Sequence, residues 1–313
     1  MREQTISGIL VSYPDKVVAA FGRCPINISG FNGSEVVMKV TNNKTSVSVE
    51  ERRAPFGYEC FFDLAYFLQV LMKPSFNVSY SAVTDSGMAN HFSVELEFMS
   101  GTSTIATMNF DVVAVWASVF ARSDESLKMF GGYPFTVGVF TDGTYTINAG
   151  GVDFTPSVGV HNFPVTGNTS VVVEDSSGKV VQSIQVTGNC GEGVYLRWVD
   201  KCGIYRYWLY RRGNTTNTIE ASDEYTRNNM GTDFGVRKHN KKVKQSIEIC
   251  APLVDENTFN FLLGMAASTV VDMYNNGEWV SVDIEAGDIV QERAMYQDFI
   301  VSVLLPETIV QKL

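Results

Sequence analysis

The chain has 313 residues, of which 45% are hydrophobic and 19% charged, with mean hydropathy near zero. That is room for two or three folded domains and excludes a peptide or a disordered tail. A formal net charge of −10 argues against a general nucleic-acid binder, because affinity for a polyanion comes chiefly from clustered Lys and Arg. No apolar run approaches the roughly 20 residues a spanning helix needs, and the N-terminal residues lack the pattern of a secretory signal. The expectation is a soluble chain made in the cytosol, with no membrane insertion.

In chain order, the first 120 or so residues read as short strands. Alternation and β-branched content place them at Ile6 to Ser12, Val17 to Phe21, Ile26 to Ser29, Glu35 to Thr41, Ser46 to Arg52, Asn77 to Val83, His91 to Phe98 and Thr104 to Val115. Gly30, Gly33, Asn42-Asn43, Pro74, Asp85-Ser86-Gly87 and Gly101 break them. A short helix is predicted over Asp63 to Gln69, capped by Asp63, with Leu64, Phe67 and Leu68 on one face. Arg122 to Lys128 is polar and lacks alternation, so a boundary is set there.

Beyond it, Pro134 to Phe140 and Thr144 to Asn148 suggest a hairpin about Asp142-Gly143, and Ser170 to Glu174 another with Val180 to Val186 about Ser177-Gly178. Gly213 to Asp233 is polar and almost aperiodic, a long loop or inserted arm that extends to about 243. The run Arg237-Lys-His-Asn-Lys-Lys-Val-Lys244 reads as a solvated basic loop, able alternatively to meet a phosphate or an acidic neighbour. After a strand at Lys244 to Cys250, Asp255 to Ala267 is the best helix, with an Asp cap and Phe259, Leu262, Leu263 and Ala266 at one-face spacing. Strands at Thr269 to Tyr274, Trp279 to Ile284 and Gln297 to Leu304 suggest a closing meander that returns to an earlier sheet. The fold expected is mainly β: two β-sandwich or barrel-like domains, 1–124 and 125–313, with one or two short helices.

The strongest pattern is an aromatic hairpin at 190–212, turning at Asp200-Lys201-Cys202-Gly203. Val194, Leu196 and Trp198 alternate with Tyr195, Arg197 and Val199; Ile204, Arg206, Trp208 and Tyr210 alternate with Tyr205, Tyr207 and Leu209. Both faces carry large rings, so the hairpin either meets another molecule or lies between two layers of its own domain. Tyr, Trp and Arg are enriched in interface cores, which makes Trp198, Tyr205, Arg206, Tyr207, Trp208 and Tyr210 the candidate interface.

Chemistry-bearing motifs are sparse. His91, His161 and His239 stand apart from one another and from Cys, so no metal site is expected. There is no nucleophile elbow and no phosphate loop. The carboxylate pairs Glu95/Glu97 and Asp283/Glu285 share strand faces, as pairs on solvated strands commonly do. Cys24, Cys60, Cys190, Cys202 and Cys250 form no Cys-x-x-Cys pair, and Cys190 and Cys202 lie about a strand length apart, so reduced thiols are expected. Neither a cofactor nor catalytic residues are expected.

Several blocks resemble, in their order along the chain, a family of tail-associated structural proteins of phages and prophages of Bacteroides-type bacteria. They are Val11-Ser-Tyr-Pro-Asp-Lys16, Phe62-Asp-Leu-Ala-Tyr-Phe-Leu-Gln69, Phe110-Asp-Val-Val-Ala-Val-Trp-Ala117, Tyr133-Pro-Phe-Thr-Val-Gly138, Gly193 to Asp200 with Tyr205 to Tyr210, and Trp279-Val-Ser-Val282 leading to Phe299 to Pro306. The resemblance implies a virion component near the tail tip or baseplate, similar to distal tail proteins, which form rings of β-sandwich domains and join the tube to adhesion proteins. It would assemble in the host cytoplasm as a homo-oligomeric ring with other tail proteins as partners. The rival reading is a carbohydrate-binding module that uses Trp and Tyr on a sheet face, which leaves a glycan contact open. A glycan hydrolase comes third.

Overall fold

The structure, a computed structural model, describes residues 1–76, 78–226, 236–285, 287–306 and 308–311. It is mainly β, with multiple sheets and, among the described residues, two short helices. No helix of the described residues is long and apolar enough to cross a membrane.

Residues 1–127, 134–187 and 200–205 form one compact unit. Its first sheet runs in the order Arg2–Ile6, Ile9–Tyr13, Pro25–Ser29, Glu59–Asp63; its second in the order Val17–Ala19, Ser103–Val115, Ala89–Ser100, Glu35–Asn42, Val47–Arg53. Period-two alternation turns Val11, Ile26, Ile28 and Phe62 of one sheet and Met38, Val40, Val94 and Leu96 of the other into a shared core. The strand predicted over Ile6 to Ser12 is instead a hairpin. Ser7 and Gly8 both take positive φ, 48° and 83°, the geometry of a two-residue turn that matches strand twist. The helix is Ala65–Leu71, two residues later than predicted; Asp63 still accepts from Ala65 N at 3.0 Å, while Leu64 and Leu68 are buried. Residues 78–83 carry no strand, and Asn77 lies outside the described residues.

The expected hairpin of 134–140 with 144–148 does not form. Thr136–Thr141 pairs with Gly159–Pro164, which pairs in turn with Thr84–Asp85, whereas Tyr145–Ala149 joins a separate sheet with Val152–Phe154 and Thr169–Asp175. Thr136–Thr141 is buried at every position and Tyr145–Ala149 is mostly half-exposed, so the two need different cover. Gly143 does not adopt the positive φ of a tight hairpin turn. Thr169–Asp175 and Val180–Asn189 pair as predicted, about Gly178 at φ 79°. Thr84–Asp85, from the N-terminal stretch, pairs with Gly159–Pro164, and 134–187 falls in one unit with 1–127 where the sequence suggested a boundary at 124/125.

The second unit comprises 128–133, 188–199 and 206–313. It holds a six-stranded barrel closed in the order Tyr205–Thr226, Val194–Val199, Val271–Asn275, Glu278–Ile284, Gln297–Leu304, Val236–Val254, and back to the first by the pairing of its two longest strands. Val271–Asn275, Glu278–Ile284 and Gln297–Leu304 form the predicted meander, with Asn276 and Gly277 at φ 50° and 91°. The helix Glu256–Ala266 is capped by Asp255, which accepts from Thr258 N at 2.8 Å. It buries Phe259, Leu262 and Met265, while Leu263, assigned to the core from spacing, is 38% exposed.

Candidate functional site

The turn of the aromatic hairpin is held by Asp200, whose carboxylate accepts from Cys202 N at 2.8 Å and Ile204 N at 3.0 Å. Gly203 sits at φ 75°, and a Cβ there would meet Trp116 O at 2.2 Å. Cys202 and Ile204 pack in one cluster with Val115, Ala117, Phe140 and Val160. The turn is thus interior to the first unit, not a projecting tip.

In the second unit the strand faces separate as the alternation predicts. Val194, Leu196, Trp198 and Tyr210 enter the barrel core. Trp198 meets Phe261 edge-on at 5.1 Å. The Tyr210 hydroxyl donates to Met265 Sδ at 3.3 Å, and burial pushes its pKa well above the usual tyrosine range. On the opposite face Tyr195 stacks on Tyr207 at 6.0 Å and meets Tyr133 at 4.6 Å and Trp279 at 5.7 Å. Tyr205, in the first unit, donates its hydroxyl to Phe76 O at 2.5 Å.

This corrects the predicted interface. Trp198, Tyr205, Arg206, Tyr207 and Tyr210 are all buried, at 8% exposure or less. Trp208 is half-buried, with Phe130 at 5.8 Å and Lys128 Nζ at 5.0 Å. The rings spend their surface on the chain's own core, which is the layered alternative stated above. Sequence cannot distinguish the two because internal and external cover impose the same alternation.

The remaining candidates stay apart. Glu95 and Glu97 lie on the outer face of their sheet, and Glu97 accepts from the Thr104 hydroxyl. His161 is buried and hydrogen-bonds Ser157 O at 2.7 Å; His91 is exposed on its strand, and the side chain of His239 lies outside the described residues. Among the described residues no group of three or more His, Cys, Asp or Glu is arranged to hold a metal. All five cysteines are free thiols, with Cys190 exposed.

One surface escaped the sequence reading, and a second was expected only as a loop or arm. The turn Phe56-Gly57-Tyr58, with Gly57 at φ 64°, leaves Phe56 95% and Tyr58 64% exposed. It borders a cleft of about 620 Å³ lined by Asn27, Ser29, Arg53, Phe56, Glu59 and Phe61 among others. Cross-strand register sets Asn27 opposite Phe61 and Ser29 opposite Glu59, so one ring stands among amide, hydroxyl and carboxylate groups. The clue was the pair of aromatics flanking a turn glycine.

The second surface is the polar stretch expected as a loop or arm. It is a long ribbon, paired from Arg211 opposite Cys250 to Thr226 opposite Val236, whose returning strand also pairs on its other side with Gln297–Leu304 and, at 241–243, with Thr308–Gln311. Every residue from Arg211 to Ala221 is exposed, Ile219 at 68%. The basic run lies on the returning strand: Lys242 is registered opposite Glu220 and Lys238 opposite Glu224, and Lys244 Nζ meets Glu220 at 2.9 Å. It meets an acidic neighbour, the alternative to a free loop.

No protein-family model matches the chain, and no curated protein matches it. Among solved structures it is similar to the periplasmic chaperone SfaE, over 57% of this chain and all of that one, at 9% identity and a TM-score of 0.19. It is also similar to a structure concerned with host cell surface retention of a bacterial ice-binding adhesin, over 94% of this chain and 96% of that one, at 13% identity and a TM-score of 0.19. Similarity at that level carries no argument about fold or function.

Proposed function

We propose that this chain is a virion structural protein of a phage tail tip or baseplate, a ring subunit or adaptor that works through protein–protein contact. The observation that carries the reading is the ribbon. Its outgoing strand is exposed at consecutive positions, hence on both faces, from Arg211 to Ala221. The returning strand is held by Gln297–Leu304 and Thr308–Gln311 as well, whereas the outgoing strand, with Ile219 68% exposed, keeps both faces open to a partner surface. The ordered blocks that resemble tail proteins supply the setting. Light scattering of the purified chain, with electron microscopy, tests the reading: closed rings are expected, and a monomer at every concentration overturns it.

The carbohydrate reading moves to the cleft beside Phe56. Exposed Phe61 amid Asn27, Ser29 and Glu59 is a surface on which a sugar ring can stack and hydrogen-bond. Glycan-array binding by the isolated chain, lost in Phe61→Ala, would favour it over the tail assignment.

A further inference from the structure

The ribbon and the rest of the chain differ in charge. Residues 215–226 and 236–247 carry five Lys and Arg against three Asp and Glu, a formal +2. The whole chain carries −10, so everything outside the ribbon carries −12. A cationic arm on an anionic body attracts other copies of the same body, and a patch that meets a different patch is the contact from which rings close.

The body also offers a place. On the outer face of the five-stranded sheet, register sets Glu50, Lys39 and Glu95 side by side in one row, with Arg52 and Glu97 in the next and Asp111 beyond Ser93. Arg52 is already paired with Glu50 at 2.8 Å and lies 3.7 Å from Glu35. Glu95 and Asp111 are exposed and Glu97 half-exposed, which leaves the face with excess negative charge. The face is a broad extended platform, and Glu50 and Arg52 lie on its outermost strand, Val47–Arg53.

We propose that the ribbon of one copy docks through its basic strand on the acidic outer face of this sheet in a second copy. Resting on the reading of a self-assembling protein, the inference names the two surfaces that meet. Opposite charge supplies steering and register, and the exposed Ile219 supplies apolar contact.

Charge reversal on each side tests this with the full chain. Lys241→Glu with Lys242→Glu makes the arm acidic; Glu95→Lys with Glu97→Lys makes the sheet face basic. Each variant alone is expected to associate on the order of tenfold more weakly than wild type, with unchanged circular dichroism and thermal melting. A one-to-one mixture of the two is expected to assemble again, because the acidic arm of one fits the basic face of the other and the unaltered surfaces fit in return. Lys241→Gln with Lys242→Gln, which removes charge without adding repulsion, is expected to weaken association less. Wild-type-like assembly of either reversed variant, or a mixture that stays dissociated, overturns the docking while leaving the ring reading intact. A wild-type chain that never associates overturns both.

Discussion

Arg197 and Asp272 face each other across two neighbouring barrel strands and are joined through Nε at 2.9 Å, with the guanidinium 4.3 Å over the Trp279 ring. Both side chains are largely withdrawn from water, at 9% and 14% exposure. Stacking covers one guanidinium face and the carboxylate takes an edge, so a cation sits inside an aromatic cluster without being stranded. Asp272→Ala removes this counter-charge and is expected to cost about 3 kcal/mol in urea unfolding. Asp272→Asn, which keeps an acceptor, should cost less. A loss below about 0.5 kcal/mol for the alanine variant would show the guanidinium satisfied by its other neighbours.

The aromatic hairpin predicts a stability phenotype in place of an assembly phenotype. Trp198 is 1% exposed against Phe261, so Trp198→Ala removes a large core ring and should cost about 3–5 kcal/mol. Half-buried Trp208 should cost less. Phe56→Ser, at a 95% exposed position, should change stability by no more than about 0.5 kcal/mol. Chemical denaturation of the three variants, with association measured separately, checks this. Full monomer stability in Trp198→Ala would refute the burial.

Gly203 tests the hairpin turn. At φ 75°, and with Trp116 O 2.2 Å from the place a Cβ would occupy, alanine is both conformationally strained and clashing. Gly203→Ala is expected to destabilise by about 3 kcal/mol. Gly57→Ala shares the positive φ, 64°, but meets nothing within 4 Å, so it should cost only about 1 kcal/mol. Equal losses from the two would mean that the close approach to Trp116 is absent in solution.

Cys24 gives stability a pH dependence. Burial, with the negative charge of Asp63 adding to it, pushes the thiol from an ordinary 9.0 up to about 11. Above pH 9 the unfolded chain releases this proton while the folded chain keeps it. The contribution is therefore fully present below pH 9 and lost as pH rises to about 11, on the order of 2 kcal/mol. Urea unfolding from pH 8 to 11 should show this decline in wild type and a shallower one in Cys24→Ala. Parallel profiles would exclude Cys24 as its source.

Many strand positions, and the cap chemistry, were readable because they are local. Gln297–Leu304 and the Asp255 cap follow from alternation and from one side-chain oxygen within reach of an amide. Pairing was less readable. Thr136–Thr141 and Tyr145–Ala149 are near neighbours in sequence, yet their different burial sends them to different sheets, and nothing at Asp142-Gly143 reports that the partner of the first is Gly159–Pro164. The Phe56 turn and its cleft were passed over because a lone exposed ring has no periodic signature.

By itself, then, the sequence determined the class of the fold and which side chains share a face of a strand, since both depend on φ/ψ preference and period-two geometry within a few residues. Only the tertiary structure decided what covers each face. Rings on both sides of 194–210 describe a hairpin between its own layers as well as one awaiting a partner. The closed barrel assigns Trp198 and Tyr210 to its interior and leaves the 211–221 strand exposed. Burial depends on residues far away in the chain, and alternation carries no information about them.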